Sequence, residues 1–147
     1  MDELLKKPEI LRQIIMDHYQ NPRNHGLIED ECYLSAHMAS ESCIDDLHLQ
    51  MKFQDDLVVD TRFDGIACTI STASTSIIGQ LIIGKTKEEA RIIISEYYKM
   101  VNQQEFDEDL LKEAYAFHTV GKQANRIKCA TIGIDGFMSL LKEDNNE

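Results

Sequence analysis

Two runs of alternating apolar and polar residues, joined by a short acidic connection, constrain the fold of this chain most. Apolar or β-branched residues fill every second position on both sides of that connection, namely Leu47, Leu49, Met51 and Phe53 before it and Leu57, Val59, Thr61 and Phe63 after it. Alternation on both sides of the three polar residues Gln54-Asp55-Asp56 predicts an antiparallel hairpin. Pairing Phe53 with Leu57 and Leu47 with Phe63 makes one face apolar, which favours that register.

The open end of the predicted hairpin collects side chains that can bind metal. Cys43 and Asp45 directly precede the first strand, and Cys68 follows the second. Because both chains leave the hairpin at the same end, we expect these three side chains at one edge of the sheet. On spacing alone, Cys43 and Cys68 could equally be small core residues, and nothing in the spacing links Cys129 to them.

The rest of the chain predicts helices, so the fold class is α+β, a small antiparallel sheet of about three strands packed by helices, in one domain over residues 1–147. Tyr33–Ala39 is a weaker candidate for the third strand. Apolar spacing and capping residues predict five helices, which begin at Pro8, after Cys68, at a capping box from Thr86 to Glu89, at Asp107 and near Cys129.

The charge and the apolar content limit the function classes. A net charge of −11 argues against nucleic-acid binding and against anionic membrane surfaces. No apolar run approaches the roughly 20 residues of a membrane span, and the first residues lack a secretory signal. We therefore expect a cytoplasmic protein whose cysteines are thiols or metal ligands rather than disulfides.

Two cysteines occupy positions that favour reactivity. Cys68 lies at the predicted start of one helix and Cys129 near the predicted start of another, where backbone N–H groups and the helix dipole favour a thiolate. Arg126 and Lys128 flank Cys129 and act in the same direction. Cys32 has no such neighbours and is interpreted as a small core residue.

Other polar groups are interpreted as having no catalytic or metal-binding role. The five histidines are scattered along the chain and are interpreted as structural or surface residues. The Ser/Thr-rich run at 71–76 has no base placed to activate a hydroxyl. We interpret it as a run of small residues that permits close helix packing.

Four segments together resemble the NifU-like N-terminal (IscU/SufU) family of iron–sulfur cluster assembly proteins, and within it the SufU type. They are IMDHYQNPRNHG, the Cys-Ile-Asp that begins at Cys43, FDGIACTISTAS around Cys68, and RIKCAT around Cys129. The resemblance implies an IscU/SufE-like fold. It also implies one exposed metal site made by Cys43, Asp45, Cys68 and Cys129.

The resemblance further implies a role in sulfur transfer. In the SufU type, zinc occupies the site, Cys43 accepts a persulfide from a SufS-like cysteine desulfurase, and sulfur passes to downstream cluster-assembly proteins. Arg126 and Lys128 would support this step, which is at most a zinc-dependent sulfurtransferase activity. A transient iron–sulfur cluster on Cys43, Cys68 and Cys129 is the alternative, and the same thiolates suit it.

Two further alternatives remain at this stage. A structural zinc-binding interaction domain would unfold on metal removal, and Cys43 would never carry sulfur. A redox thiol enzyme would form a disulfide between Cys43 and Cys68 on oxidation.

The sequence also departs from the family pattern. Lys128 stands where scaffold relatives usually have histidine, which favours the SufU type. Ile44 and Ala67 stand where the family usually has glycine, and a positive φ at Ile44 would strain the backbone.

Overall fold

The predicted hairpin is the centre of a three-stranded antiparallel sheet in the order β1-β2-β3. The structure is a computed structural model and describes residues 3–41 and 44–145. The strands are β1 Tyr33–Ala39, β2 Asp46–Gln54 and β3 Leu57–Ile66. The predicted α+β class and all three predicted strands are confirmed.

The predicted register of the hairpin is wrong by two residues. Phe63 pairs with Leu49 rather than with Leu47. The connection is a two-residue turn at Asp55 and Asp56, and a bulge lies just before it between Lys52 and Phe53. Asp55 has φ 56°, the left-handed region that two-residue hairpin turns require. Alternation alone could not locate the bulge, because an extra residue changes the pairing without changing the run of apolar positions.

The bulge also changes which residue near the turn enters the core. Val58 is fully buried, whereas Leu57, predicted to face inward, is 43% exposed. Beyond the bulge the alternation holds, and Leu47, Leu49 and Met51 are all buried.

In the part of the chain that the structure describes, five helices and three short 3-10 segments accompany the sheet. The helices are α1 Pro8–Gln20, α2 Thr69–Ile82, α3 Lys87–Val101, α4 Glu108–Leu111 and α5 Ala124–Asn145, and the 3-10 segments are Glu3–Lys6, Lys112–Phe117 and Val120–Lys122. The predicted capping box opens α3, with the Thr86 hydroxyl accepting from the Glu89 N–H and the Glu89 carboxylate accepting from the Thr86 N–H. The prediction for the last helix was wrong at its start, since α5 begins more than one turn before Cys129.

Small residues let α5 lie close against α2 and against the sheet. A Cβ at Gly133 would overlap the Thr75 hydroxyl, and one at Gly136 would lie 2.6 Å from Leu49 Cδ1. Ser71 and Ser76 of α2 are buried as well. The interpretation of the Ser/Thr run as a helix-packing surface is confirmed, and this packing carries the beginning of α5 toward the edge of the sheet.

The structure also bears on the interpretation of Cys32 and on the question of a membrane span. Cys32 is exposed, so its interpretation as a core residue was wrong. It follows a turn in which Asp30 accepts its backbone N–H, and that turn holds it outside the core. Within residues 3–41 and 44–145, no helix is long and apolar enough to cross a membrane.

Candidate functional site

Asp45 is a buried carboxylate at the open end of the hairpin. The residue Asp45 as a whole is only 2% exposed to solvent. Oδ1 accepts the backbone N–H of Cys68 at 2.8 Å, and Oδ2 accepts the Ser71 hydroxyl at 2.5 Å. Buried carboxylates are costly unless they are hydrogen-bonded, so these contacts hold the carboxylate against the beginning of α2.

Cys68 is the N-cap residue of α2, as the sequence predicted. Its Sγ accepts the Ser71 N–H at 3.4 Å and lies 3.3 Å from Ser71 Oγ and 3.9 Å from Asp45 Oδ2. Cys68 has extended backbone two residues after the end of β3, and the Ser71 N–H of the first helical turn is directed at its sulfur.

Cys129 comes from α5 and meets the other two side chains at the same edge. One ligand atom from each of Asp45, Cys68 and Cys129 lies within 4.8 Å of the other two. Cys129 Sγ is 3.8 Å from the carbonyl of Asn125, one turn earlier in the helix. Because Cys129 lies in the second turn of α5, the expected helix-terminus effect does not apply to it, since that effect is confined to the first turn.

A glycine in β3 brings the hairpin ends together. Gly65 has φ +130°, and a Cβ there would overlap the backbone oxygen of Asp46. This close approach allows Asp46 to pair with Ile66. The chain then leaves β3 beside Asp45, which is why the predicted proximity of Asp45 and Cys68 is confirmed although the register was wrong.

The fourth predicted ligand, Cys43, lies outside the described residues. Its neighbour Ile44 is 69% exposed. Ala67, the other replacement of a usual glycine, is not among the described residues with positive φ and packs against the core. The alanine is therefore accommodated without left-handed backbone strain.

Arg126 and Lys128 are both exposed on α5 beside Cys129. Lys128 also lines an open groove between α5 and the end of β1, together with Glu41 and Asp135. Burial raises the pKa of the Asp135 carboxyl above its usual value. The groove is thus a mixed-charge surface next to the three converging side chains.

Sequence reasoning missed Ser71. This buried residue contacts both Asp45 and Cys68, so it fixes their relative position. The available signal was its spacing, since the third residue after an N-cap is the one whose N–H the cap accepts.

The donors suit a metal that prefers sulfur. Two cysteine sulfurs and one carboxylate are ligands of tetrahedral zinc, and thiolates also hold iron–sulfur clusters. Around a tetrahedral zinc, neighbouring donors are separated by roughly 3.6 Å. The distance of 3.9 Å between Cys68 Sγ and Asp45 Oδ2 is close to that value. The residues present therefore fit the metal that the resemblance implies, and they supply three of its four ligands.

The family model described as NifU-like N terminal domain matches residues 10–130. The chain belongs to this family. Its members among curated proteins include the zinc-dependent sulfurtransferase SufU of Bacillus subtilis (strain 168), which is 40% identical over 124 residues, 84% of this chain and 83% of that protein. The iron–sulfur cluster assembly scaffold protein IscU of Streptococcus pyogenes serotype M1 is 33% identical over 97% of this chain and 89% of its own length.

Solved structures of the NifU-like family share the fold. A putative iron–sulfur cluster assembly scaffold protein for the SUF system from Fervidobacterium islandicum AW-1 superposes with a TM-score of 0.83 at 33% identity. The match covers 88% of this chain and 94% of that one. The α+β architecture described above is thus the architecture of the family.

Proposed function

We propose that this NifU-like protein serves iron–sulfur cluster assembly by accepting sulfur from a cysteine desulfurase and passing it to downstream cluster-assembly proteins. The observation that carries the proposal is the convergence of Asp45, Cys68 and Cys129, whose ligand atoms lie within 4.8 Å of one another. The similarity to a sulfurtransferase named SufU supports it. We propose zinc as the resident metal and the cytoplasm as the compartment, where thiols stay reduced.

The proposed reaction is a thiol–persulfide exchange at Cys43. The Cys43 thiolate attacks the outer sulfur of a persulfide on the desulfurase cysteine. A new S–S bond forms on Cys43, the old S–S bond breaks, and the desulfurase cysteine leaves as a thiolate. The exchange needs no external oxidant or reductant.

Zinc, when bound, holds its cysteine ligands as thiolates and so supplies a nucleophile near neutral pH. Cys43, Asp45, Cys68 and Cys129 would hold it. Asp45 is fixed by the Cys68 N–H and the Ser71 hydroxyl, so these groups set the orientation of the carboxylate toward the ion.

The cationic side chains beside Cys129 have a different role in the proposal. The whole chain carries a net charge of −11, yet Arg126 and Lys128 are exposed within one turn of Cys129. We propose that they favour approach of the anionic persulfide and assist docking of the desulfurase. As exposed groups, they should affect the association rate more than the chemistry.

A sulfur-transfer assay tests the proposal. The purified protein is incubated with a SufS-like desulfurase and ³⁵S-cysteine, and bound label is measured on non-reducing gels. We expect label on the wild type, loss of label in Cys43→Ser, and retention in the matched control Cys32→Ser, whose thiol is exposed elsewhere. Equal labelling of Cys43→Ser and wild type would overturn the assignment of Cys43.

Metal analysis separates sulfur transfer from the scaffold alternative, which the similarity to IscU favours. Protein purified without oxygen and without added metal should contain zinc and no acid-labile sulfide. Iron with matching sulfide would instead establish a scaffold. A third result would identify a structural zinc domain. In that case zinc is present, its removal unfolds the chain, and the wild type takes no label.

A further inference from the structure

A second group of metal-binding side chains lies on the outer face of the sheet. His37 of β1 and His48 of β2 are directly opposite each other across the strand pair. Their rings stack, with centroids 4.3 Å apart and an interplanar angle of 4°. Asp46 Oδ1 is 2.6 Å from Nε2 of His37 and 3.9 Å from Nε2 of His48.

This outer cluster is distinct from the inner site. Successive side chains of a strand point to opposite faces. Asp45 is buried and faces Cys68, whereas the side chain of its neighbour Asp46 is 50% exposed on the other face. The two histidines are 53% and 52% exposed, so solvent and ions reach all three groups.

We propose that His37, Asp46 and His48 form a second binding site for a divalent transition-metal ion such as zinc or nickel. One ligand atom from each residue lies within 4.8 Å of the other two. Two imidazoles and one carboxylate suit zinc, nickel and copper, whereas magnesium and calcium favour sites made of oxygen ligands only. Three protein ligands leave coordination positions for water.

The sheet sets the spacing of the three ligands. Cross-strand neighbours hold their Cβ atoms about 5 Å apart, which is within reach of one ion for two imidazoles. Binding requires the stacked rings to turn toward a common point and the donor atoms to close to roughly 3.3 Å. The side chains are about half exposed, so they can turn without disturbing the backbone.

Two features make the outer site weaker than the inner one. The metal must replace the existing contact between His37 and Asp46, and it is held by imidazole nitrogens rather than by thiolates. The ligands are also exposed, so no buried hydrogen bonds fix their orientation as they fix Asp45. The outer site should therefore fill after the inner site, as a second and weaker class.

Nickel titration of the full-length protein, already given one equivalent of zinc, tests the proposal. We expect one further equivalent of nickel to bind by calorimetry, without the charge-transfer absorption of a nickel thiolate. The paramagnetic ion should broaden the ring NMR signals of His37 and His48 before other histidines. This outcome does not depend on the sulfur-transfer proposal.

Three variants complete the test. His37→Gln and His48→Gln should each weaken nickel binding at least tenfold. His118→Gln is the matched control, because that ring stacks on Tyr115 away from the sheet, and it should bind nickel as the wild type does. His25 is unsuitable as a control, because it pairs with Asp64, which lies opposite His48. Absence of nickel binding, binding accompanied by thiolate absorption only, or unchanged binding in both sheet variants would overturn the proposal.

Discussion

Two adjacent aspartates at the start of β2 have opposite environments. Asp45 is 2% exposed and accepts two hydrogen bonds from the beginning of α2. The side chain of Asp46 is 50% exposed and contacts two histidines of the sheet. The inner group is fixed before any metal arrives, whereas the outer group must rearrange around one. Preorganisation, more than ligand number, should separate their affinities.

A change that disturbs both sites at once should have the largest effect. Gly65→Val places a side chain against the Asp46 backbone and requires φ +130° from a β-branched residue. We expect a loss of stability on the order of 3 kcal/mol, and loss of metal at both sites. Urea unfolding and zinc analysis measure these effects. Wild-type stability would show that the glycine is not what closes the hairpin end.

The aspartate pair can be compared directly. Asp45→Ala removes an inner ligand and leaves the Cys68 N–H and the Ser71 hydroxyl without their buried acceptor. Zinc affinity at the thiol site should fall on the order of 100-fold. Asp46→Ala should change that affinity less than about threefold while weakening nickel binding on the outer face. Competition with a chromogenic chelator measures both, and equal losses in the two variants would remove the distinction between the sites.

Ser71→Ala tests preorganisation without removing a ligand. The variant loses the hydroxyl contact to Asp45 Oδ2 and to the Cys68 sulfur but keeps every proposed metal ligand. Removing such a supporting hydrogen bond should weaken zinc binding on the order of 10-fold. The nearby buried residue Ser74 offers a matched control, because its hydroxyl bonds a carbonyl of its own helix. An equal effect of Ser74→Ala would indicate general damage to α2.

The smallest effect concerns the buried histidine of α1, His18, which belongs to neither site. Burial, and then the charge of Arg23, hold the pKa of His18 below its ordinary value of 6.5. The unfolded chain therefore takes up a proton that the folded chain resists, so stability should fall as pH decreases below about 6.5. The substitution His18→Gln should reduce the dependence of the unfolding free energy on pH, measured by urea unfolding between pH 5 and 7 (about the histidine range). The same pH dependence of the unfolding free energy in the variant and the wild type would contradict this prediction.

The sequence predicted the fold well where local patterns carry the information. Alternation identified β2 and β3, and capping residues located the beginning of α3. The prediction of the hairpin register failed because the register depends on a bulge and a two-residue turn, which leave the apolar pattern unchanged. The prediction of where α5 begins failed because the first turn of that helix is exposed and carries little apolar periodicity.

The candidate site was predictable in part. Strand pairing alone brought Asp45 to Cys68, but only the family resemblance linked Cys129, because helix packing across the core has no short-range signal. The outer cluster was missed, since His37 and His48 are neighbours only once the pairing of β1 with β2 is known. The ligand roles of Cys43, Asp45, Cys68 and Cys129 stay predictions until metal is measured.

The two faces of β2 also determine which kinds of sequence change the protein tolerates during evolution. Substitutions can alter the thiol site or the histidine cluster separately, because the neighbouring residues Asp45 and Asp46 face opposite sides of the sheet. A one-residue deletion within Asp46–Gln54 would instead exchange the faces of the residues on one side of the deletion, so that part of the apolar row Leu47, Leu49 and Met51 would turn into water. In this strand, chain length should therefore be under stronger selection than the identity of its outward-facing residues.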